Sequence, residues 1–223
     1  MIRTRTLPTT TLAILLLAMS AFAQKSESPV ADYFPLRVGD SWTYRSTVGS
    51  TEYSQKVLRE EKQADGTVRY LVEKVAGAKV ETWFSKAGAW VLMHSERYPE
   101  HEALKHDYEP PKQFLKNPLA AGATWDWKGK DITLSDMEES SEVAGPEEIT
   151  VLAGKFRAMK IVTRITGASI PMTRTDWYAD GVGLVKSTTE AGQTSYGWEL
   201  KDYSFKKRTA ERADLPKSGR NIW

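Results

Sequence analysis

Polar and apolar residues alternate along much of the chain, which is the pattern of half-buried β-strands. Trp42, Tyr44, Ser46 and Val48 occupy every second position, and the residues between them are polar or charged. Turn signals separate such runs; in the pair Asp65-Gly66, for example, the glycine accepts the positive φ angle that a tight hairpin requires. The pattern therefore predicts strands joined by short turns.

One part of the pattern occurs twice. Residues 35–44 and residues 118–127 both read P-L-x-x-G-x-x-W-x-aromatic. A second pair of segments, 83–91 and 177–185, begins with tryptophan and has valine eight residues later. The order is kept, which predicts two structural units on one plan. The second pair lies 11 residues further apart than the first, so we expect an insertion in or near residues 131–148.

These features predict an all-β, antiparallel fold: an internally duplicated curved sheet, sandwich or open barrel of about 11 strands. We expect a single domain over residues 33–205, made of two repeats at about 33–109 and 113–205. One repeat alone is too small to cover its own apolar face. Pro110-Pro111 is expected to close the last strand of the first repeat, with residues 112–119 linking the halves.

Acidic side chains are concentrated in residues 131–148, at Asp131, Asp136, Glu138, Glu139, Glu142, Glu147 and Glu148. Calcium favours several oxygen ligands, but the regular D-x-D-x-D-G order of a calcium loop is missing. We therefore expect a solvated, mobile loop here.

Both ends of the chain have their own composition. Residues 1–23 combine a basic start, a short apolar core and the small-x-small sequence Ala21-Phe22-Ala23, which predicts a signal peptide cleaved after Ala23. Residues 24–32 form a polar leader. Residues 206–223 are basic, lack apolar periodicity and are expected to be disordered. The sequence thus predicts a periplasmic or secreted protein with no transmembrane segment after cleavage.

Charge and cysteine content exclude several classes of function. Without the signal peptide, which contains Arg3 and Arg5, basic and acidic residues are equal in number. The global positive field typical of nucleic-acid binding is therefore absent, and we predict no nucleic-acid partner. The chain contains no cysteine, which excludes disulfides, thiol chemistry and lipid attachment through cysteine. The oligomeric state is left open.

Three motifs resemble a known family. They are residues 33–44 (Y-F-P-L-x-x-G-x-x-W-x-Y), residues 149–161 (containing A-G-x-F-x-A) and residues 177–186 (W-Y-A-x-G-V-G-L-V-K). Together they resemble the TapB-like proteins and neighbouring exported bacterial proteins of unknown function. The resemblance covers most of residues 33–205. It implies a fold and an exported location, and it brings no active site with it.

Candidate chemistry is sparse. The three histidines, His94, His101 and His106, lie close together among acidic residues, but their spacing matches no metal-binding signature. We therefore predict no metal site, no cofactor and no catalytic residue. A pair of carboxylates for hydrolysis is not identifiable from sequence, because such pairs meet only in the folded protein.

The remaining signal is aromatic. Trp83, Trp90, Trp177 and Trp198 lie on predicted strands, where large rings pack in a core or bind ligands. We take these four as the candidate ligand-binding residues, with Trp83 and Trp177 toward the rim of a cavity. The sequence favours an exported binding or accessory protein without catalysis, holding a lipid-like or other apolar ligand. The alternatives are a hydrolase acting on envelope or extracellular polymer and a protein-interaction module.

Overall fold

The structure is a computed structural model that describes residues 30–167 and 170–205. The predicted signal peptide, most of the polar leader and the basic tail lie outside the described residues. The described part contains strands and no helix, so no helix there is long and apolar enough to cross a membrane. The strands are β1 (Ser41–Ser46), β2 (Glu52–Lys62), β3 (Val68–Ala76), β4 (Ala78–Ala87), β5 (Trp90–Tyr98), β6 (His101–Lys116), β7 (Thr124–Lys130), β8 (Asp136–Val151), β9 (Gly154–Thr166), β10 (Met172–Ala179), β11 (Gly183–Ala191) and β12 (Thr194–Ser204).

All twelve strands belong to one antiparallel sheet in the order β6-β5-β4-β3-β2-β1-β12-β11-β10-β9-β8-β7. Each half of the chain is a six-stranded meander, and the two meanders join where β1 pairs with β12. The sheet curls into a nearly closed barrel whose edge strands are β6 and β7. We call the gap between these two edges the seam. The predicted all-β, antiparallel fold is confirmed.

The duplication is visible in the hydrogen bonds that start each half. The Gly39 N–H donates to the Val57 oxygen at 2.8 Å, and the Gly122 N–H donates to the Val143 oxygen at 2.8 Å. Each valine N–H in turn donates to the residue after its partner glycine, at 3.0 Å and 2.9 Å. Both glycines have positive φ angles, of 94° and 79°. The repeated P-L-x-x-G-x-x-W segment therefore builds the same turn twice.

The second pair of segments also matches, but not at every residue. The pairing register shifts directly after the repeated tryptophan, between Trp83 and Phe84 and between Trp177 and Tyr178. The final valines are not equivalent. Val91 pairs across from Lys86, whereas the register from Leu184 to Lys186 passes over Val185 as the extra residue of the shift.

The predicted end of the last strand of the first repeat was wrong. Strand β6 does not close at Pro110-Pro111 but continues to Lys116, so most of the predicted linker is strand. Proline is tolerated because β6 is an edge strand and its ladder with β5 skips these residues, so no N–H is needed there.

The acidic stretch is also strand and not a loop. From Asp136 onward it forms β8, with small or apolar residues turned inward and most acids turned outward. Glu138 faces Lys128 and Asp136 faces Lys130 across the ladder with β7, and both pairs form salt bridges. The expected insertion is largely taken up by strand length, since β8 and β9 have 16 and 13 residues where β2 and β3 have 11 and 9.

Residues 30–40, here called the crossing segment, close one end of the barrel. Their contacts reach Lys86 and Phe114 of the first half and Gly181 of the second half. They therefore cross the opening between the halves and form a wall of the interior.

Gly183 is required by this closure. Its φ angle is 95°, and a Cβ atom there would lie 3.4 Å from Pro35 of the crossing segment. Gly181 has a φ angle of 69° but open space around it. We expect Gly183→Val to lower the free energy of unfolding by about 2–3 kcal/mol and Gly181→Val by about 1–2 kcal/mol, since a β-branched residue is strained at positive φ. Chemical denaturation measures both. Equal losses would show that contact with Pro35 contributes nothing.

Candidate functional site

The barrel contains an apolar cavity of about 160 Å³ beside the crossing segment, and the cavity is partly open to solvent. Val57 and Phe84 contribute from the first half and Tyr178 from the second, and all three are buried. Alternation along β4 places Val80, Thr82 and Phe84 on this inner face. The cavity is therefore built from the inward-facing positions of strands of both repeats.

Three phenylalanine rings line the cavity where the crossing segment enters it. Ring centroids of Phe34 and Phe84 are 5.2 Å apart, those of Phe34 and Phe114 are 5.6 Å apart, and those of Phe84 and Phe114 are 5.3 Å apart. Tilted and edge-on contacts at these distances are favourable. Because Phe34 belongs to the crossing segment, the cluster attaches that segment to β4 and β6.

Asp32 fixes the start of the crossing segment. Its carboxylate accepts hydrogen bonds from Lys86 Nζ at 2.7 Å and from Asn117 Nδ2 at 2.8 Å. Its main-chain oxygen accepts from the Gly181 N–H at 2.8 Å. Burial by itself raises the pKa of Asp32, but the bonds from Lys86 and Asn117 outweigh it and leave the pKa below its usual value. The segment is thus fastened by charge as well as by apolar packing.

The interior also holds charged side chains, two pairs of which are bonded. Lys112 Nζ of β6 donates to Glu139 of β8 at 2.7 Å, and Arg174 Nε of β10 donates to Asp176 at 2.9 Å. Alternation along β10 places Arg174 and Asp176 on the face of Tyr178, which lines the cavity. Burial lowers the pKa of Lys112, and Glu139 opposes this shift. Buried charges of this kind are stable only when they are paired.

Lys74 and Glu96 are the two ionisable residues of opposite charge that line the cavity itself. Burial lowers the pKa of Lys74, and Glu96 opposes that shift. Burial raises the pKa of Glu96, against the effect of Lys112, Lys74 and a hydrogen bond from Tyr108. Both pKa values therefore move in the direction that favours the neutral forms. The cavity lining is therefore mainly apolar, with one lysine and one glutamate among it.

Among the described residues, one carboxylate, that of Glu96, lines the cavity. Glu139 and Asp176 are each bonded to a cation. Within residues 30–167 and 170–205, no three histidine, aspartate or glutamate side chains come together as metal ligands.

Ser85 and His94 form a close pair outside the cavity lining. Ser85 Oγ lies 2.8 Å from His94 Nε2. Burial and then Arg69 lower the pKa of His94. Ser85 is fully buried, so a substrate has no access to its hydroxyl group. The pair is therefore a structural hydrogen bond between β4 and β5.

Two of the four candidate tryptophans lie on the outer face of the barrel. Trp83 lies between the inward residues of β4 and stacks under the guanidinium of Arg59 at 5.2 Å. Leu71, directly opposite Trp83 on β3, is fully buried. The Trp177 indole donates to Glu147 at 3.0 Å and has Lys160 and Lys186 as cross-strand neighbours. Neither ring is at the rim of the cavity, and each covers the outer surface of its own half.

The other two tryptophans lie in different places. Trp90 packs edge-on against Trp125 of β7, with ring centroids 6.2 Å apart, and so contributes to the seam. Trp198 packs inside the barrel against Tyr53 at 4.8 Å. None of the four belongs to the residues that line the described cavity. Their assignment as ligand-binding residues stays a prediction, and the structure does not bring them into one site.

Sequence reasoning missed Lys74 and Glu96. Lys74 follows the inward residue Val72 by two positions, so the period of two could have indicated it. The period of two could not have indicated Glu96. It lines the cavity together with Met93, three residues earlier, because the β5 ladder passes over His94. A bulge of this kind exchanges the two faces of a strand and is set by pairing with the neighbour.

Comparison with known proteins adds a family likeness for the second half. No curated protein matches the chain. A solved structure of a presumed lipoprotein from Parabacteroides distasonis has a TM-score of 0.46 and 14% identity, covering 79% of this chain and 100% of that one. A presumed exported protein with a YmcC-like fold from Bacteroides fragilis has a TM-score of 0.48 and 16% identity, covering 78% and 100%. Residues 121–192, from the turn before β7 to the end of β11, are similar to the family described as DUF3108-like.

Proposed function

We propose that this chain is an exported, non-catalytic binding protein of the cell envelope or the extracellular space, and that its barrel interior holds an apolar group. The observation that carries the proposal is the cavity beside the crossing segment, whose lining is mainly aromatic and aliphatic. Export is supported by the composition of residues 1–23. The bonded state of Glu139 and Asp176 argues against the alternative of a hydrolase.

The cavity size limits the ligand. An apolar cavity of about 150 Å³ accommodates a benzene molecule, and this cavity has about 160 Å³. It therefore suits one aromatic ring or a short alkyl segment and not the whole of a lipid tail. A larger ligand would place only its end here.

The proposal is tested by calorimetric titration of the full chain with toluene, 1-hexanol and 1-octanol. We expect saturable binding with one site per chain. Met93 lines the cavity and is buried, so Met93→Ala should enlarge the cavity and move the preference toward the longer alcohol. Val48, which is exposed on the β1–β2 connection, provides the control Val48→Ala.

Three results would contradict the proposal. The first is the absence of binding by all three compounds, which would favour a protein-interaction module. The second is cleavage of an added glycan by the purified protein, which would favour a hydrolase. The third is an unchanged ligand preference in Met93→Ala, which would show that the compounds bind elsewhere.

A further inference from the structure

Lys74 is distinguished from the other interior cations by its lack of a bonded acid. Lys112 is bonded to Glu139 and Arg174 to Asp176. In the described part of the chain, no carboxylate lies within 4.0 Å of the Lys74 ammonium group, and this group donates no hydrogen bond. Its neighbour is an aromatic ring, since Nζ lies 4.5 Å from the centroid of Tyr53.

The surroundings of this ammonium group favour an anion. Lys74 is exposed to solvent and also belongs to the cavity lining, so its side chain lies where the cavity opens to water. The Tyr53 ring packs against its ammonium group. A cation without a bonded acid attracts anions. The anionic group of a molecule in the cavity would therefore pair with Lys74.

Glu96 does not take this place. Glu96 interacts with Lys74 electrostatically and without a hydrogen bond. It also interacts electrostatically with Lys112 and accepts a hydrogen bond from Tyr108. It lies on β5, two strands away from β3 in the sheet. The Glu96 carboxyl group therefore has partners of its own, and the Lys74 ammonium group remains available to a molecule in the cavity.

We infer that the ligand of the cavity is a small amphipathic acid, whose apolar part fills the cavity and whose anionic group binds Lys74. This inference rests on the proposed function, because it names the chemical class of the ligand for the same cavity. The apolar part is limited to a ring or a short alkyl segment by the cavity volume of about 160 Å³. Aromatic and aliphatic acids both satisfy this description.

The experiment is a calorimetric titration at pH 7 with octanoate, phenylacetate, 1-octanol and octylamine. We expect both acids to bind, and octanoate to bind more tightly than 1-octanol. Lys74→Met keeps the length of the side chain and removes its charge, so it should weaken octanoate binding by about 10- to 100-fold. Binding of 1-octanol should change by less than about 2-fold, since its contacts are apolar. Lys74→Arg should retain most of the affinity for octanoate.

Lys79→Met is the matched control. Lys79 lies on the neighbouring strand β4, is half exposed and is paired with Glu73 at 3.7 Å. This variant changes the net charge by the same amount without touching the cavity, and it should bind octanoate like the wild type. Thermal unfolding of each variant shows that it is folded at the temperature of the titration.

The possible outcomes separate the two proposals. Binding of 1-octanol without binding of the acids would overturn the inference and leave the cavity function standing. An equal loss for octanoate and 1-octanol in Lys74→Met would also overturn it, because Lys74 would then act only on the shape of the cavity. Tighter binding of octylamine would assign the head group to Glu96. Failure of all four compounds would overturn the inference and the proposed function together.

Discussion

Trp42→Ala should lower the free energy of unfolding by about 4–5 kcal/mol, measured by chemical denaturation. Trp42 is 5% exposed, and its indole N–H donates to the Val182 oxygen at 2.7 Å. Truncation of a buried tryptophan costs about 3–5 kcal/mol, and the unsatisfied carbonyl adds about 1 kcal/mol. Since domains of this size are stable by only about 5–15 kcal/mol, this variant should be close to unfolding at room temperature.

The internal repeat supplies a matched control for this prediction. Trp125 occupies the same place in the second half and is 9% exposed, and among the described residues its indole makes no hydrogen bond. We expect Trp125→Ala to cost about 3–4 kcal/mol. The conservative pair Trp42→Phe and Trp125→Phe should then differ by about 1 kcal/mol, the contribution of the indole bond. Equal losses in this pair would show that the bond to Val182 does not stabilise the fold.

Lys112→Ala is expected to have a comparable effect, of about 3–5 kcal/mol, because it leaves Glu139 buried without its cation. The two side chains are 10% and 14% exposed, and Nζ also lies 3.9 Å from the ring centroid of Trp127. Lys112 belongs to edge strand β6, whereas Glu139 and Trp127 belong to β8 and β7. The lysine therefore joins the two edges of the sheet by side-chain contacts across the seam.

Two further variants distinguish loss of this pair from a general effect on β6. Lys105 lies on the same strand in an exposed pair with Asp107 at 3.3 Å, and Lys105→Ala should change stability by less than about 0.5 kcal/mol. The double variant Lys112→Met with Glu139→Leu removes both charges and should be more stable than Lys112→Ala. A double variant no more stable than the single one would show that the charge left on Glu139 is not the cause of the loss.

Local sequence was sufficient for the strands that follow a clear period of two. Trp42 and Tyr44 were placed on one face, and both are buried in the interior. The glycine of each repeated motif, Gly39 and Gly122, has a positive φ angle, which few other residues accept. The duplication could be predicted from the sequence because the P-L-x-x-G-x-x-W turn depends on local backbone geometry. The predicted strand end was wrong where pairing with a neighbouring strand decided the structure, as at Pro110-Pro111 of edge strand β6.

The sequence by itself determined an all-β chain of two similar meanders, because alternation and turn chemistry act over only a few residues. Only the tertiary structure decided that β1 pairs with β12, that the sheet curls until β6 and β7 face each other, and which face of each strand lies inside. Trp83 lies on the outer face and Lys74 lines the cavity, contrary to the rule that apolar side chains face inward and charged side chains face outward. A period of two separates two faces but does not say which one is enclosed, and a single bulge, as at His94, exchanges them.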